Sequence, residues 1–176
     1  MQKVDRLGWA AGVCFKAYGW KIGVRVNKPV ALERVIPCLP PGWEPAEPPF
    51  VQMMFSLRVG GTEGARNTRH YNLMYFNQVL GSRSMEIDDV YDALESTIGM
   101  FLAEWARERV FGHAGVVAHE GKALMVPARS MCGKSSLVKA LLRAGAEYFS
   151  DEFAVLDTEG RVHPYPRRLS IRQPEG

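Results

Sequence analysis

Apolar and polar residues alternate with a two-residue period along 13–26, which predicts one strand or a hairpin with one buried face. Strand-like apolar runs recur at 50–59 and 71–80, on either side of the turn-rich segment 60–67. Prolines crowd residues 29–49 and exclude a long helix or a central strand there, because each proline fixes φ and lacks an N–H donor. The N-terminal part of the chain is therefore predicted to form a small antiparallel sheet.

Residues 88–109 have a different pattern, in which apolar side chains return every three or four positions and predict an amphipathic helix. The apolar positions are Ile87, Val90, Tyr91, Leu94, Ile98, Phe101, Leu102 and Trp105. Asp88 is the predicted N-cap, and the aromatic stripe is expected to be a core face. The predicted organisation is a β-rich region with a proline-rich connection (1–86), a linking helix (87–111) and a third domain (112–176).

The third domain begins with two strand-like runs around Glu120 and Gly121, which predict a β-hairpin with a buried second strand at 123–126. A short amphipathic helix follows and ends at Gly145; its apolar positions are Leu137, Val138, Leu141 and Leu142. Two more strands are predicted on either side of residues 158–160. The order strand, glycine-containing loop, helix, strand predicts an α/β domain, and the whole chain is α+β.

Composition excludes several classes of protein. The 176 residues are 47% apolar and 23% charged, as in soluble globular proteins, and no apolar stretch is long enough for a membrane span. A net charge of +3 without a basic stripe predicts no nucleic-acid partner. Cys14, Cys38 and Cys132 have no CxxC spacing, which predicts a reducing, cytoplasmic location without thiol-bound metal.

Residues 128–135 read A-R-S-M-C-G-K-S and match the phosphate-loop pattern GxxxxGK[ST] everywhere except at its first glycine. A strand before the loop and a helix after it direct backbone N–H groups toward phosphate, whereas the simpler alternative is a loop that only caps a helix. Ala128 replaces the glycine, which is tolerable unless this position requires a positive φ. The predicted nucleotide-binding residues are Ala128, Arg129, Ser130, Met131, Cys132, Gly133, Lys134, Ser135 and Ser136.

Asp151 and Glu152 follow the next predicted strand, where neighbouring strands bring acids beside bound phosphates. Successive residues point to opposite faces, so one carboxylate can face a metal and the other an acceptor hydroxyl. An acidic pair at a strand end is also common in solvated turns. The upstream loop favours phosphoryl transfer.

The segment from His113 to about Ile171 contains HAGVV, VPARSMCGKSS, YFSDEFAVLD and VHPYPRRLSIR. Together these motifs resemble the catalytic domain of HPr serine kinases/phosphorylases and their bacterial relatives, and residues 71–111 are similar to the region that precedes that domain. The resemblance implies a P-loop kinase fold of the phosphoenolpyruvate carboxykinase type. It also implies transfer of the ATP γ-phosphoryl group to a serine of a protein acceptor.

The resemblance assigns roles to individual residues. Lys134 and Ser135 are expected to bind phosphate and Mg²⁺, Asp151 to be the catalytic base, and Glu152, where the family has a second aspartate, to be a metal ligand. His113 matches a family histidine and is a third catalytic candidate beside Asp151 and Lys134, although a histidine at a strand start is more often structural.

The expected function is an ATP- and Mg²⁺-dependent serine kinase acting on an unidentified protein or peptide, with no membrane partner; the family also allows a homo-oligomer. Family members continue with further strands and helices, so the kinase domain is expected to be incomplete at Gly176. Arg167 and Arg168 are candidates for phosphate neutralisation, although exposed arginines are more often only solvated. Two alternatives stay open: a non-catalytic nucleotide-binding scaffold, and a small-molecule kinase or nucleotide hydrolase.

Overall fold

The computed structural model describes residues 3–60, 70–129 and 132–167. Over these residues the protein is mixed α/β and richer in strand than in helix, with one six-stranded sheet, one five-stranded sheet and three α-helices. The chain divides into two compact units, residues 1–102 and 103–176.

The first unit is built on the six-stranded sheet. Its strands are β1 (Ala11–Ala17), β2 (Trp20–Val26), β3 (Glu44–Pro45), β4 (Met53–Arg58), β5 (Asn72–Phe76) and β6 (Val79–Ser84). They lie in the order β3-β1-β2-β4-β5-β6. Of the two alternatives predicted for 13–26, one strand or a hairpin, the structure has the hairpin: β1 and β2 pair antiparallel, and the chain turns at Tyr18 and Gly19, both with positive φ. Phe15 and Ile22 are buried on its inner face.

The prediction of a wholly antiparallel region is wrong for one pair, because β2 and β4 run parallel. Parallel neighbours need a long crossover connection. Residues 27–52 provide it, with the short helix α1 (Leu32–Val35) flanked by 3-10 turns. The prolines act as predicted, since this fully described stretch contains no long helix and no strand other than the edge strand β3.

The apolar run at 71–80 is not one strand but the hairpin β5–β6. Asn77 takes a positive φ of 49°, which asparagine tolerates better than most residues. Its N–H donates to the Met54 carbonyl at 2.6 Å, and its side-chain oxygen accepts the Met54 N–H at 3.1 Å. These bonds to β4 hold the turn where periodicity predicted a continuous strand. Apart from Gly60, the turn-rich segment predicted at 60–67 lies outside the described residues.

The long helix α2 spans Ile87–Trp105. Its predicted core face is confirmed for Val90, Tyr91, Leu94, Ile98 and Leu102, which are buried. It is wrong for Trp105, which is 53% exposed at the end of the helix. The division between the two units falls inside this helix, between Leu102 and Ala103.

Both predicted ends of α2 need correction. Asp88 lies in the first turn rather than at the N-cap, and it pairs with Arg34. The helix does not continue to 109 or 111, because Glu108 has a φ of 60° and the next strand begins at Arg109. The β-branched and aromatic residues that follow, Val110 and Phe111, favour the strand.

The second unit carries the five-stranded sheet. Its elements are β7 (Arg109–His119), β8 (Lys122–Pro127), α3 (Lys134–Arg143), β9 (Glu147–Ser150), β10 (Phe153–Asp157) and β11 (Val162–His163). The order is β11-β10-β7-β8, and β9 pairs with β7. β8 and β9 are each antiparallel to β7, so they are parallel to each other with β7 between them. On one face of the sheet, Ala114, Val116 and Ala154 form a buried cluster.

The hairpin predicted around Glu120 and Gly121 is confirmed. Both residues have positive φ, 48° and 73°, as a two-residue type I′ turn requires. The prediction that 123–126 is a buried strand is wrong, because Leu124 and Met125 are 53% and 43% exposed. Within the described sheet β8 is an edge strand, and the apolar run has no second neighbour to cover it. No described helix is both long and apolar enough to cross a bilayer.

Candidate functional site

The loop between β8 and α3 leads directly into the first turn of α3. Gly133, with a φ of 80°, precedes Lys134, the first helical residue. Only glycine adopts this φ without a steric penalty, so the backbone conformation before α3 explains why a glycine occurs at this position. Ala128 is not among the described residues with positive φ, and its Cβ therefore carries none of the strain considered from the sequence. Ser130 and Met131 are outside the described residues.

The β8–α3–β9 arrangement places the loop and the end of β9 at the same edge of the sheet. Because β8 and β9 run parallel, the carboxyl ends of both strands lie on that edge. β9 ends with a bulge, in which Phe149 is an extra residue opposite β7. Asp151 and Glu152 lie just beyond it, before β10 resumes pairing with β7. Asp151 and Glu152 therefore lie in a break between two strands, where side chains do not follow the regular alternation of a β-strand.

Asp151 contacts the first turn of α3 directly. The Ser135 hydroxyl donates a hydrogen bond of 2.6 Å to Asp151 Oδ2, although the two residues are 16 positions apart. The other oxygen, Asp151 Oδ1, is buried and has no hydrogen-bond partner within residues 3–60, 70–129 and 132–167. An unsatisfied buried carboxylate oxygen is uncommon and costly in a folded protein, and a bound ion or water is one accepted explanation. This atom marks the position as a functional candidate.

Lys134 reaches the central strand of the sheet. Its Nζ lies 3.1 Å from His113 Nε2. Because an ammonium group only donates, His113 Nε2 accepts this bond and the imidazole proton is on Nδ1. His113 is in the middle of β7 rather than at a strand start, since β7 begins at Arg109.

Gly115, two residues after His113 on β7, allows α3 to approach the sheet closely. A Cβ on Gly115 would lie 2.7 Å from Val138 Cγ2 and 3.2 Å from Lys134 Cγ. Both distances are tighter than normal packing, so only glycine fits under the first turns of α3. This residue fixes the height of Lys134 and Ser135 above the sheet, and the loop motif does not include it.

Glu152 points to a different partner. Its carboxylate forms an ion pair with the Arg167 guanidinium. Arg167 is held by its backbone, because the Tyr148 hydroxyl donates to the Arg167 carbonyl at 3.1 Å. Burial, and secondly the charge of Asp151, raise the pKa of the Tyr148 phenol, which keeps it in the donating form. Two residues earlier, the Tyr165 N–H donates to the Phe149 carbonyl at 3.0 Å.

Protein groups that could hold a metal are few in this region. Among the described residues no cluster of three or more His, Cys, Asp or Glu side chains is placed to hold a metal. Mg²⁺ in phosphoryl-transfer sites takes only one or two carboxylates and completes its octahedron with water and phosphate oxygens. The Ser135 hydroxyl and the Glu152 carboxylate, the two metal ligands expected from the sequence, are oxygen donors of the kind that Mg²⁺ prefers.

The structure thus brings together the five residues singled out from the sequence for catalysis or metal binding. Four of them form two contacting pairs, Lys134 with His113 and Ser135 with Asp151, whereas Glu152 follows Asp151 in the chain and pairs with Arg167. The remaining described loop residues are mostly peripheral, since Arg129, Cys132 and Ser136 are exposed and Ala128 is partly buried.

Sequence reasoning missed Gly115 and Tyr148 and undervalued Arg167. The Arg167 side chain is only 14% exposed, whereas an exposed, solvated arginine was the preferred interpretation. Arg168 is outside the described part of the chain. No local signal singles out Gly115, because its requirement comes from α3, which follows much later in the chain.

Comparison of the chain with protein-family models, with curated proteins and with solved structures found no match in any of the three.

Proposed function

We propose that this protein is an ATP- and Mg²⁺-dependent serine kinase that acts on a protein or peptide, with a P-loop kinase domain in its second unit. The observation that carries the proposal is the hydrogen bond from Ser135 to Asp151. This bond joins the loop hydroxyl that is expected to hold magnesium to the acid that is expected to be the base, as a phosphoryl-transfer site requires beside the transferred phosphate. A loop that only caps a helix has no need for this contact.

In the proposed site the ATP phosphates lie at the N-terminus of α3, where backbone N–H groups and the helix dipole favour anions. Lys134, a partly buried cation next to this N-terminus, moves its donated bond from His113 Nε2 to a phosphate oxygen. His113 thereby holds the ammonium at the site before ATP arrives. The exchange replaces a neutral acceptor with a charged one, which forms the stronger hydrogen bond.

The chemical step is transfer of the phosphoryl group from ATP to the serine of the acceptor. The serine oxygen of the acceptor forms a bond to the γ-phosphorus, the bond from that phosphorus to the bridging β,γ-oxygen breaks, and ADP leaves with the electron pair. Asp151 accepts the serine proton as general base. Magnesium, when bound, neutralises charge on the β- and γ-phosphates. The Ser135 bond orients the Asp151 carboxylate within the site.

The first test is Mg·ATP binding by calorimetry to the parent protein and to Lys134→Ala. The proposal expects the variant to bind at least about tenfold more weakly, because charge-assisted bonds to phosphate are lost. Lys139→Ala is the matched control, since Lys139 is a partly buried lysine on the same helix. Failure of the parent protein to bind Mg·ATP refutes the proposed function, and equal losses for the two variants refute the phosphate-loop assignment.

The second test is transfer of label from γ-labelled ATP to a library of serine-containing peptides, with Asp151→Asn as the variant. We expect Asp151→Asn to retain ATP binding and to lose transfer by about 100-fold or more, as for removal of a general base. Undiminished transfer would rule out Asp151 as the base. Binding without any labelled product favours the scaffold alternative, whereas free labelled phosphate or a labelled small molecule favours the hydrolase or small-molecule kinase.

A further inference from the structure

The Glu152–Arg167 ion pair lies in the same break in the sheet as Asp151. The side chains of Arg167 and Glu152 are 14% and 35% exposed, so neither charge is fully hydrated. Two hydrogen bonds tie the segment that carries Arg167 to β9: the Tyr148 hydroxyl donates to the Arg167 carbonyl, and the Tyr165 N–H donates to the Phe149 carbonyl. These bonds therefore hold the backbone of Arg167 near Glu152, and the ion pair does not depend on a flexible surface side chain.

A cation is needed at this position for an electrostatic reason. Asp151 and Glu152 are adjacent carboxylates, and within the described part of the chain Asp151 is paired with a neutral hydroxyl and not with a positive charge. Two neighbouring negative charges in a partly buried site repel each other and repel the phosphates of ATP. Arg167 neutralises the Glu152 carboxylate, so that Asp151 is the one uncompensated negative charge of the pair.

We propose that Arg167 is a positioning residue that acts as a built-in counter-ion for Glu152. When no metal is bound, the guanidinium neutralises the Glu152 carboxylate and holds it at the site. When Mg·ATP binds, the Glu152 carboxylate shifts from the guanidinium to the metal. This inference rests on the proposed function, because it assumes a metal-bound nucleotide at the phosphate loop.

The first test concerns the ion pair without nucleotide. Thermal unfolding is measured for Arg167→Met, Glu152→Gln and the double variant, with Arg167→Lys as the conservative change. We expect Arg167→Met to lower Tm by roughly 4 °C, because it leaves a partly buried carboxylate unpaired. The double variant recovers part of that loss and Arg167→Lys loses less. Additive losses mean that the two side chains are not coupled, and they overturn the counter-ion role.

The second test measures ATP binding to the same variants, once with Mg²⁺ and once with EDTA. Arg167→Met leaves an extra negative charge at the site, so we expect about tenfold weaker binding of metal-free ATP. Binding of Mg·ATP weakens less than about threefold, because the metal takes over the neutralisation of Glu152. Adding Glu152→Gln to Arg167→Met removes the uncompensated charge and restores metal-free binding.

The alternatives give different patterns. If Arg167 contacts phosphate directly, the double variant binds metal-free ATP as weakly as Arg167→Met does. If Arg167 only supports the fold, the two forms of ATP lose affinity equally and Tm falls for Arg167→Lys as well. Either pattern overturns the counter-ion role and leaves the proposed function standing, whereas a parent protein that binds neither form of ATP overturns both.

Discussion

The two units differ in what fills their interiors. Among the described residues, the fully buried side chains larger than valine all lie in the first unit: Phe15, Phe55, Ile22, Leu57, Met74, Leu94, Ile98 and Leu102. In the second unit the fully buried apolar side chains are valine or smaller, including Val116, Val138, Val155 and Ala154, while Phe153 and Tyr165 are buried but retain 7% and 2% exposure. The first unit therefore has the larger hydrophobic driving force for each buried side chain.

Buried polar groups differ in the same way. In the first unit, Ser56 accepts a hydrogen bond from Arg25 at 2.8 Å, and Asn72 bonds to the backbone of Gly60 and Met85. These groups are hydrogen-bonded. In the second unit the buried Ser150 hydroxyl likewise accepts bonds from the N–H groups of Glu152 and Phe153, but Asp151 keeps one buried oxygen without a described partner. Such an exception in a native fold indicates a position kept for a ligand or for chemistry rather than for stability.

The two units of the chain are therefore suited to different tasks. The first unit has the features of a stable scaffold, with large apolar side chains and paired polar groups. The second unit keeps four charged or basic side chains, Lys134, His113, Asp151 and Glu152, within one region of a small sheet. We expect the stability of the second unit to depend on its charged groups and on the close packing of α3 against β7. We expect the stability of the first unit to depend on the volume of its buried side chains.

The largest expected effect is a cavity in the first unit. Phe55 is fully buried in the central strand β4, so Phe55→Ala should cost about 3–5 kcal/mol in the free energy of unfolding. Phe50→Ala makes the same chemical change at a side chain that is 82% exposed, and should stay within about 0.5 kcal/mol. Denaturant titration measures both. A loss below about 1 kcal/mol for Phe55→Ala would contradict the comparison of the two interiors.

A smaller effect is expected from overpacking in the second unit. Gly115→Ala places a methyl group 2.7 Å from Val138, which should cost about 1–3 kcal/mol and displace the start of α3. On the same strand, a Cβ at Gly112 meets no atom closer than 4.0 Å, so Gly112→Ala is the matched control. We expect only Gly115→Ala to weaken Mg·ATP binding in calorimetry. Equal behaviour of the two variants would refute the close approach of α3 to β7.

The smallest effect concerns acid stability. A hydrogen bond from His163 and the N–H groups of Arg161 and Glu159 lower the pKa of Asp157 to about 2 from its ordinary value of 3.8. Because this pKa is depressed in the folded protein, the stabilisation is present above pH 3.8 and is lost as the pH falls through about 2. The Tm of the parent protein should therefore be higher than the Tm of Asp157→Asn at pH 5, and the two values should converge near pH 2. A difference that persists unchanged at pH 2 would exclude this cause.

Local patterns were sufficient for the elements whose determinants are close in sequence. The Glu120-Gly121 turn, the core face of α2 and the start of α3 after Gly133 each depend on residues within one or two turns of chain. The end of α2 could not be placed, because apolar residues with helical spacing continue past Trp105 while Glu108 turns the chain.

Burial was less predictable than secondary structure. The run at 123–126 is as apolar as a core strand, yet its exposure depends on how many neighbours β8 has in the sheet. The parallel pairing of β2 with β4 likewise follows from the crossover through residues 27–52 and not from either strand alone.

For the candidate site, the residue types can be read directly from the sequence: a glycine before a lysine and a serine, followed by an acidic pair after the next strand. Which of their atoms are in contact depends on the fold. Ser135 and Asp151, and also His113 and Lys134, are far apart in the chain, and their contacts exist because β7 lies between two parallel strands. Local propensities act over a few residues, whereas the pairing of charges at a site depends on the packing of a whole sheet and helix.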